Sequence, residues 1–448
     1  MKPLPRFLSP ISDLPRLFWP IRGGYKILVP HAMDRAWPVL FLLASAYRRL
    51  FLRNVRFIVV IGSVGKTTTK QAIDRALGQG VACHNIGNYG VALALNVLST
   101  KPQDRFSVCE VGIAGTGRMA SYARMLRPDV VVVTAVKSDH NRSLRTLEDT
   151  RREKVKMVQA LRPDGLAVLN GDDEHVRWMA TQTLARIATY GFGEENTVRA
   201  SDYTAESPGG SFTLRLPDPA QAVRLRTRLL GRHMAYPLLV AAFLAHEVGV
   251  APEEISGRLA ALEAAIRRLQ PVALPNGATI ICDDFKGSLE SFHAAFEAFS
   301  TIPAKRRVMV LADVHEPPGL QGPMYRDLGA RVAALADFVV LIGSDGLLSL
   351  RTGAVRAGMK PERVRFVGAR VAPAIALLQA ELRPGDVILL KGTGSRRLER
   401  LTLALSGQIV RCNVSYCKVR LIGCQSCPLV RQEPPAFENF YVRLLTRP

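Results

Sequence analysis

Six residues beginning at Gly62, GSVGKT, have the types and spacing to hold a phosphate. Glycines let backbone N–H groups crowd onto phosphate oxygens, a lysine opposes the charge of the β- and γ-phosphates, and the next hydroxyl suits a magnesium ion. Here Gly62, Ser63, Val64 and Gly65 would form the loop, Lys66 the cation and Thr67 the hydroxyl, with Thr68 following in the same turn. The run is a shortened G-x-x-G-K-T-T, because Val60 stands where the common phosphate motif has its first glycine. ATP is the expected ligand.

Such a loop needs a strand to deliver it and a helix to leave it. The apolar run RFIVVIG ends at Gly62, and TTKQAIDRALG behind it has a helical period. RFSVCEVG, PDVVVVTAV and GLAVLNG read as further strands, and LEDTRREKVKMVQALR as a further helix. This alternation predicts an α/β fold: a P-loop central domain with a mostly parallel sheet. ATIICDD, RRVMVLAD, DFVVLIG and GDVILLKG predict a second, Rossmann-like α/β domain towards the C-terminus. The chain thus divides into a basic amphipathic segment at 1–55, an ATP-binding domain at 56–264, a C-terminal domain at 265–410 and a cysteine-rich tail at 411–448.

In open α/β sheets ligands collect at the carboxyl ends of the strands. Those ends carry Glu110 in CEVG and His140 in TAVKSDHNRSL, and the helix that follows carries Lys154. Taken singly, each has an ordinary structural explanation: a cap, a packed imidazole, a solvated lysine in RREKVK. In the tail, Cys412, Cys417, Cys424 and Cys427 have C-x4-C-x6-C-x2-C spacing, compatible with a tetrahedral Zn2+ site. Such zinc would be structural, since four thiolates leave no open position; four incidental cysteines are the alternative.

Of 448 residues, 48% are hydrophobic and 22% charged, which excludes a disordered chain. The net charge of +22 favours anionic partners without naming one. Nine Lys or Arg against two acidic residues fall in residues 1–54, among apolar side chains, so this segment could touch a membrane surface or pack on the domain that follows. The run WPVLFLLASAY is too short to span a bilayer, and no small-residue cleavage site follows it. A cytoplasmic enzyme, peripheral at most to the inner membrane face, is expected.

In this order and spacing the motifs resemble the Mur ligase family of ATP-dependent amide-forming enzymes. The resemblance covers roughly residues 56–405: GSVGKTTTK, NIGNYGVALALNVL, Glu110, His140 with Glu148 and Lys154, LNGDDE (Asn170, Asp172, Asp173), GRHMAYPLLVAA (Gly231, His233), ICDDFKGSLES (Asp283, Asp284), LADVHE (Asp313, Glu316) and GDVILLKGTGSRR (Lys391, Gly392). Within the family it is most similar to the branch that adds D-alanyl-D-alanine to a UDP-muramoyl tripeptide in peptidoglycan precursor synthesis. The resemblance implies that Lys66 and Thr67 engage ATP and a first Mg2+, with Glu110 as that ion's carboxylate. It implies a second Mg2+ on His140 and Lys154, the lysine carrying a carbamate made from CO2. Asp283 and Asp284 would sit near the nucleotide, and Asp313 and Lys391 would belong to a domain that closes over the site. The substrates implied are a carboxylate and an amino acid or dipeptide.

Three departures accompany the resemblance. Ala135 stands where the family has a nucleotide-contacting Asn, and DDFKGSLES has Lys286 and Ser288 where the family has amides. Only about 55 residues precede the loop, fewer than the family's UDP-sugar-binding domain needs. A relative acting on another acid in envelope or secondary metabolism is therefore one alternative. A non-catalytic protein binding nucleic acid or a membrane surface is the other, although no aromatic-basic RNA pattern accompanies the charge.

Overall fold

A computed structural model describes residues 37–82, 87–88, 90–113, 115–137, 144, 146–206, 209–217, 222–317, 319–417, 423–427 and 429–431. Two units emerge: Ala36–Ala265 with His293–Pro303, and Ile266–Phe292 with the chain from Ala304 onward.

The first unit opens with helix α1 (Trp37–Leu50) and then alternates β1 (Arg56–Ile61), α2 (Lys66–Leu77), β2 (Val81–Ala82), α3 (Val91–Ser99), β3 (Phe106–Glu110), α4 (Arg118–Leu126), β4 (Val130–Val133), α5 (Leu147–Val158) and β5 (Leu166–Asn170). After α6 (Glu174–Arg177) come β6 (Arg186–Gly191), β7 (Val198–Ala205), β8 (Gly210–Arg215), β9 (Ala222–Thr227), α7 (Ala235–His246) and α8 (Pro252–Ala260). One nine-stranded sheet runs β2-β3-β1-β4-β5-β6-β7-β8-β9. It is parallel from β2 to β7, and β8 and β9 continue it antiparallel. The central strands RFIVVI, VVVV and LAVLN are almost wholly buried, as strands covered on both faces must be. From β1 the chain first builds one side of the sheet, through β2 and β3, and then crosses to β4 on the other. The carboxyl end of β1 is thus a topological switch point, the place where open α/β sheets bind ligands.

Part of the basic N-terminal segment is built into this unit. Ala44 of α1 and the following Leu52 join the core beside Phe57, Val59 and Ile61. Arg48 is buried: its guanidinium donates to the carbonyls of Leu126 (2.9 Å) and Arg127 (3.1 Å), pairs with Asp129 (3.0 Å) and lies 4.1 Å from the centre of the Phe57 ring. The arginine thereby ties α1 to the end of α4 and the strand it leads into.

The second unit has β10 (Gln270–Ala273), β11 (Thr279–Asp283), β12 (Arg306–Ala312), α10 (Gln321–Leu335), β13 (Phe338–Ile342), α11 (Leu347–Arg356), β14 (Val364–Phe366), α12 (Val371–Glu381), β15 (Asp386–Lys391) and α13 (Glu399–Leu405); helix α9 (Leu289–Ser300) straddles the division between units. Its six strands run β10-β11-β15-β12-β13-β14, parallel except for β10. Ile280, Val308, Val340, Ile388 and Leu390 form its core.

The described residues of the tail pack on this unit. Arg411 and Cys412 donate backbone N–H groups to the Val430 carbonyl. The nearly inaccessible Arg400 donates to the carbonyls of Cys412 (3.0 Å) and Val414 (2.7 Å). Among the described residues no three His, Cys, Asp or Glu side chains are gathered so as to hold a metal ion. The expected thiolate zinc site is therefore not formed by Cys412, Cys417, Cys424 and Cys427 in this structure. Three of them instead meet the segment around α13: the Cys412 sulfur lies 3.6 Å from Arg400, Cys417 N–H donates to the Ser395 carbonyl, and Cys424 N–H donates to Glu399. Burial and the Glu399 carboxylate push the Cys424 thiol well up.

Candidate active site

The phosphate loop leaves β1 at Gly62, whose φ of +144° only glycine adopts readily. A Cβ there would lie 1.9 Å from Thr134 Oγ1, so the residue that follows β4 presses directly on the loop. That hydroxyl donates to the Val64 carbonyl at 2.6 Å, and Ser63 N–H donates to the Ala135 carbonyl at 2.8 Å. One layer below, Asn170 Nδ2 donates to the Thr134 carbonyl at 2.8 Å. Gly65, with φ of +83°, caps α2, whose first turn holds no acidic side chain. The helix N-terminus thus presents its partial positive charge to an anion.

Four side chains named by the sequence meet at this loop. Lys66 Nζ donates to the Gly62 carbonyl at 2.7 Å, folding the ammonium over the loop. Thr67 Oγ1 donates to Glu110 Oε2 at 2.7 Å, which brings the end of β3 to the first turn of α2. Lys154 reaches the same place from α5: its Nζ donates to Ser63 Oγ at 3.1 Å. Thr68 is buried within α2. His140 lies outside the described residues, as do Asn85 and Ile86 of the NIGNYG motif.

Lys154 is 1% exposed, so it is no solvated member of a charge run. Its helix starts with a capping box, Thr146 accepting from Asp149 N–H while Asp149 accepts in return. The neighbouring Glu153 accepts from Met119 N–H (2.9 Å) and Lys156 (2.6 Å), fixing α5 against the start of α4. Burial opposes its charge, yet these donors and the Gly117 N–H hold the carboxyl below the usual carboxylate range.

Two residues of the quoted motifs make contacts that the sequence does not indicate. Asn88 Nδ2 donates to Glu110 Oε1 at 2.8 Å, fixing the carboxylate from the side opposite Thr67. Ser63 is a hub: its hydroxyl donates to the Lys137 carbonyl (3.0 Å) and accepts from Lys137 N–H (3.0 Å) as well as from Lys154. Serine at a position the motif leaves free gives no hint of this. Asp173 caps α6 and pairs with Lys137 at 3.3 Å, whereas Asp172 is consumed by Phe192 N–H, Gly193 N–H, Asn196 and Tyr236.

Asp283, Asp284 and Lys391 belong to the second unit and form a cluster of their own. Both Asp284 oxygens accept from Arg267, at 3.0 and 2.8 Å, and Asp284 is fully buried. Its carboxylate is thus occupied in holding Arg267, which also pairs with Glu399. Asp283 accepts from Leu269 N–H at 3.2 Å and pairs with Lys391 at 2.9 Å. Burial pulls the Lys391 ammonium below its usual value despite that carboxylate. Arg267 and Leu269 both have positive φ, a strained turn that these bonds stabilise. Asp313 accepts from Arg396 (2.6 Å) and Ser344 N–H (2.9 Å). In the altered motif, Phe285 O accepts from Gly394 N–H (3.0 Å), and Gly287 packs so close to Gly392 that a Cβ would meet its backbone at 3.0 Å.

The first cluster can oppose phosphate charge with Lys66 and a helix end. Its Thr67 hydroxyl and Glu110 carboxylate are hard oxygen donors suited to Mg2+. It also places an amine, Lys154, within the buried wall of the loop.

A family model for the Mur ligase middle domain matches residues 60–245, and one for the Mur ligase glutamate ligase domain matches residues 267–394. The UDP-N-acetylmuramoyl-tripeptide--D-alanyl-D-alanine ligase of Bacillus subtilis is 25% identical over 374 residues, 82% of this chain and 79% of that protein. The ligase of the same name from Mycobacterium leprae is 29% identical over 430 residues, 86% of this chain and 81% of that protein. Among solved structures, MurF from Acinetobacter baumannii has a TM-score of 0.71 at 22% identity, covering 82% of this chain and 80% of that one. MurF ligase from Thermotoga maritima in complex with ADP also has a TM-score of 0.71, at 18% identity with 82% and 83% covered, a likeness of fold. The two family models together span most of the chain, their junction falls beside the break between the two units, and the loop with Lys66, Thr67 and Glu110 lies in the first: the chain belongs to the Mur ligase family of ATP-dependent amide-forming enzymes.

Proposed function

We propose that this ligase joins the terminal carboxylate of a UDP-muramoyl tripeptide to the amine of D-alanyl-D-alanine. The observation that carries the reading is the convergence of Lys66, Thr67, Glu110 and Lys154 on one phosphate loop. A carboxylate is a poor acyl donor, so its oxygen attacks the γ-phosphorus of ATP, the bond to the β-phosphate oxygen breaks and ADP leaves. The amine then attacks the acyl phosphate carbon, phosphate departs with the C–O bonding pair, and the amine loses a proton as the amide forms.

Lys66 and the N-terminus of α2 offset the repulsion between two anions brought together. Glu110, held by Asn88 and Thr67, would hold one Mg2+ with the Thr67 hydroxyl; His140 and Lys154 would hold a second. Bound there, magnesium neutralises phosphate charge. For that role the Lys154 amine adds to CO2, forming one N–C bond and releasing one proton, and becomes an oxygen donor. In the same reading Asp283 and Lys391 shape the nucleotide side of the second unit, and Asp284 positions Arg267.

The test is release of ADP and phosphate by the full chain with ATP, UDP-muramoyl tripeptide and D-alanyl-D-alanine. Release that needs both co-substrates, and falls by about 100-fold or more in Lys66→Ala, is expected. ATP binding without turnover on this pair would overturn the substrate assignment. Turnover unaffected in Lys66→Ala would overturn the site.

A further inference from the structure

Helix α1 has two apolar faces, and the fold uses one. Leu40, Phe41, Ala44, Tyr47 and Arg48 face the core of the first unit. On the other side Val39, Leu42, Leu43 and Leu50 are 54–67% exposed, with Phe51 beside them at 60%. Positions 39, 42, 43, 46 and 50 share one helical face, and residue 46 is an exposed alanine, so the stripe is apolar along its length. Monomeric soluble proteins rarely leave such a stripe uncovered. Among the described residues thirteen large apolar side chains stand out as exposed, and five lie in this one stretch.

The rim of the stripe is basic. Arg49, Arg53 and Arg56 are exposed at its C-terminal end, and Arg53 Nε donates to the Arg49 carbonyl at 3.0 Å. Exposed Arg127 lies at the same end, its carbonyl accepting from Arg48. The nearby acid, Asp129, is already engaged by Arg48 and Arg162. An apolar helix face with arginines along its edge matches the boundary between lipid headgroups and acyl chains. A second copy of the chain matches it less well, because each molecule carries a net charge of +22 and anionic lipid does not.

We propose that the outer face of α1 docks on an anionic lipid surface, Val39, Leu42, Leu43, Leu50 and Phe51 entering the acyl boundary and Arg49 and Arg53 meeting lipid phosphates. The helix lies flat in this arrangement; among the described residues none is long and apolar enough to cross a membrane. The proposal is independent of the substrate assigned above.

The experiment is sedimentation of the full chain with sucrose-loaded vesicles, either of phosphatidylcholine alone or with phosphatidylglycerol added. Binding to the phosphatidylglycerol vesicles, weakened by salt and about tenfold or more by Leu42→Ser/Leu43→Ser, is expected. Arg49→Glu/Arg53→Glu should lose the preference for anionic lipid. ATP binding and thermal unfolding should stay unchanged in both variants, because the altered side chains lie outside the core. Absence of binding to phosphatidylglycerol vesicles, or binding that neither variant alters, overturns the proposal. So does a concentration-dependent dimer, seen by sedimentation velocity and abolished by Leu42→Ser/Leu43→Ser, in a chain that ignores vesicles.

Discussion

The contact between Gly62 and Thr134 offers a quantitative test of how the phosphate loop is held. An alanine at position 62 would keep a φ of +144° and place its Cβ 1.9 Å from Thr134 Oγ1 and 3.0 Å from the Ala135 nitrogen. The backbone contributes a cost of about 1–3 kcal/mol, and forcing the methyl into occupied space about 1–3 kcal/mol more. If the loop moves to relieve this, the N–H groups that would face phosphate move with it. We expect Gly62→Ala to lower stability by about 2–6 kcal/mol and to weaken ATP binding by tenfold or more, one decade for each ~1.4 kcal/mol. Gly65→Ala is the internal control. Its Cβ would meet Thr134 Cβ at an ordinary 3.8 Å, so only the backbone cost of its +83° φ remains, about 1–2 kcal/mol. Urea unfolding and calorimetric ATP titration of both variants, each also on a Thr134→Ala background, would separate the contributions. Removing the hydroxyl should recover about 1 kcal/mol or more for Gly62→Ala and nothing for Gly65→Ala. Equal costs at the two glycines, with no coupling to Thr134, would refute the reasoning.

Arg48→Met removes a guanidinium on which three backbone carbonyls and Asp129 depend, and should cost about 3–5 kcal/mol in denaturant unfolding. Glu399→Gln, which leaves Arg267 and Arg397 short of a buried countercharge, should lower the melting temperature by an amount corresponding to about 3–5 kcal/mol. The Glu153 carboxyl is depressed in the folded chain, so its stabilisation is complete above the unfolded value of about 4.3 and is lost as pH falls through the lower folded value. Glu153→Gln should therefore destabilise near neutrality and flatten the loss of stability below about pH 4.3, as read by acid titration of unfolding.

The strands around the site were legible because buried parallel strands must be continuous apolar runs, and RFIVVI, VVVV and LAVLN are bounded by the glycines and polar residues that end them. The loop was legible for the same local reason: its glycines, lysine and threonine are adjacent in sequence. What brings Lys154 to Ser63 is tertiary. RREKVK looks solvated until α5 is laid against α4, and no local pattern records that packing. The hydroxyl of Ser63 and the amide of Asn88 act through partners 91 and 22 residues away. The tail spacing alone does not separate a zinc knuckle from cysteines packed beside Arg400 and Glu399, because both leave the same pattern in the sequence. The apolar run at 37–47 could not reveal from composition that it would serve both a core and an open face.

The first unit takes Ala36–Ala265 and then, after a stretch that belongs to the second, His293–Pro303. On a ribosome it therefore remains incomplete until synthesis has passed the opening strands of its neighbour. Expression of the nucleotide-binding half alone should extend to residue 303 or supply that stretch as a separate peptide, since a stop codon after Ala265 deletes part of its packing.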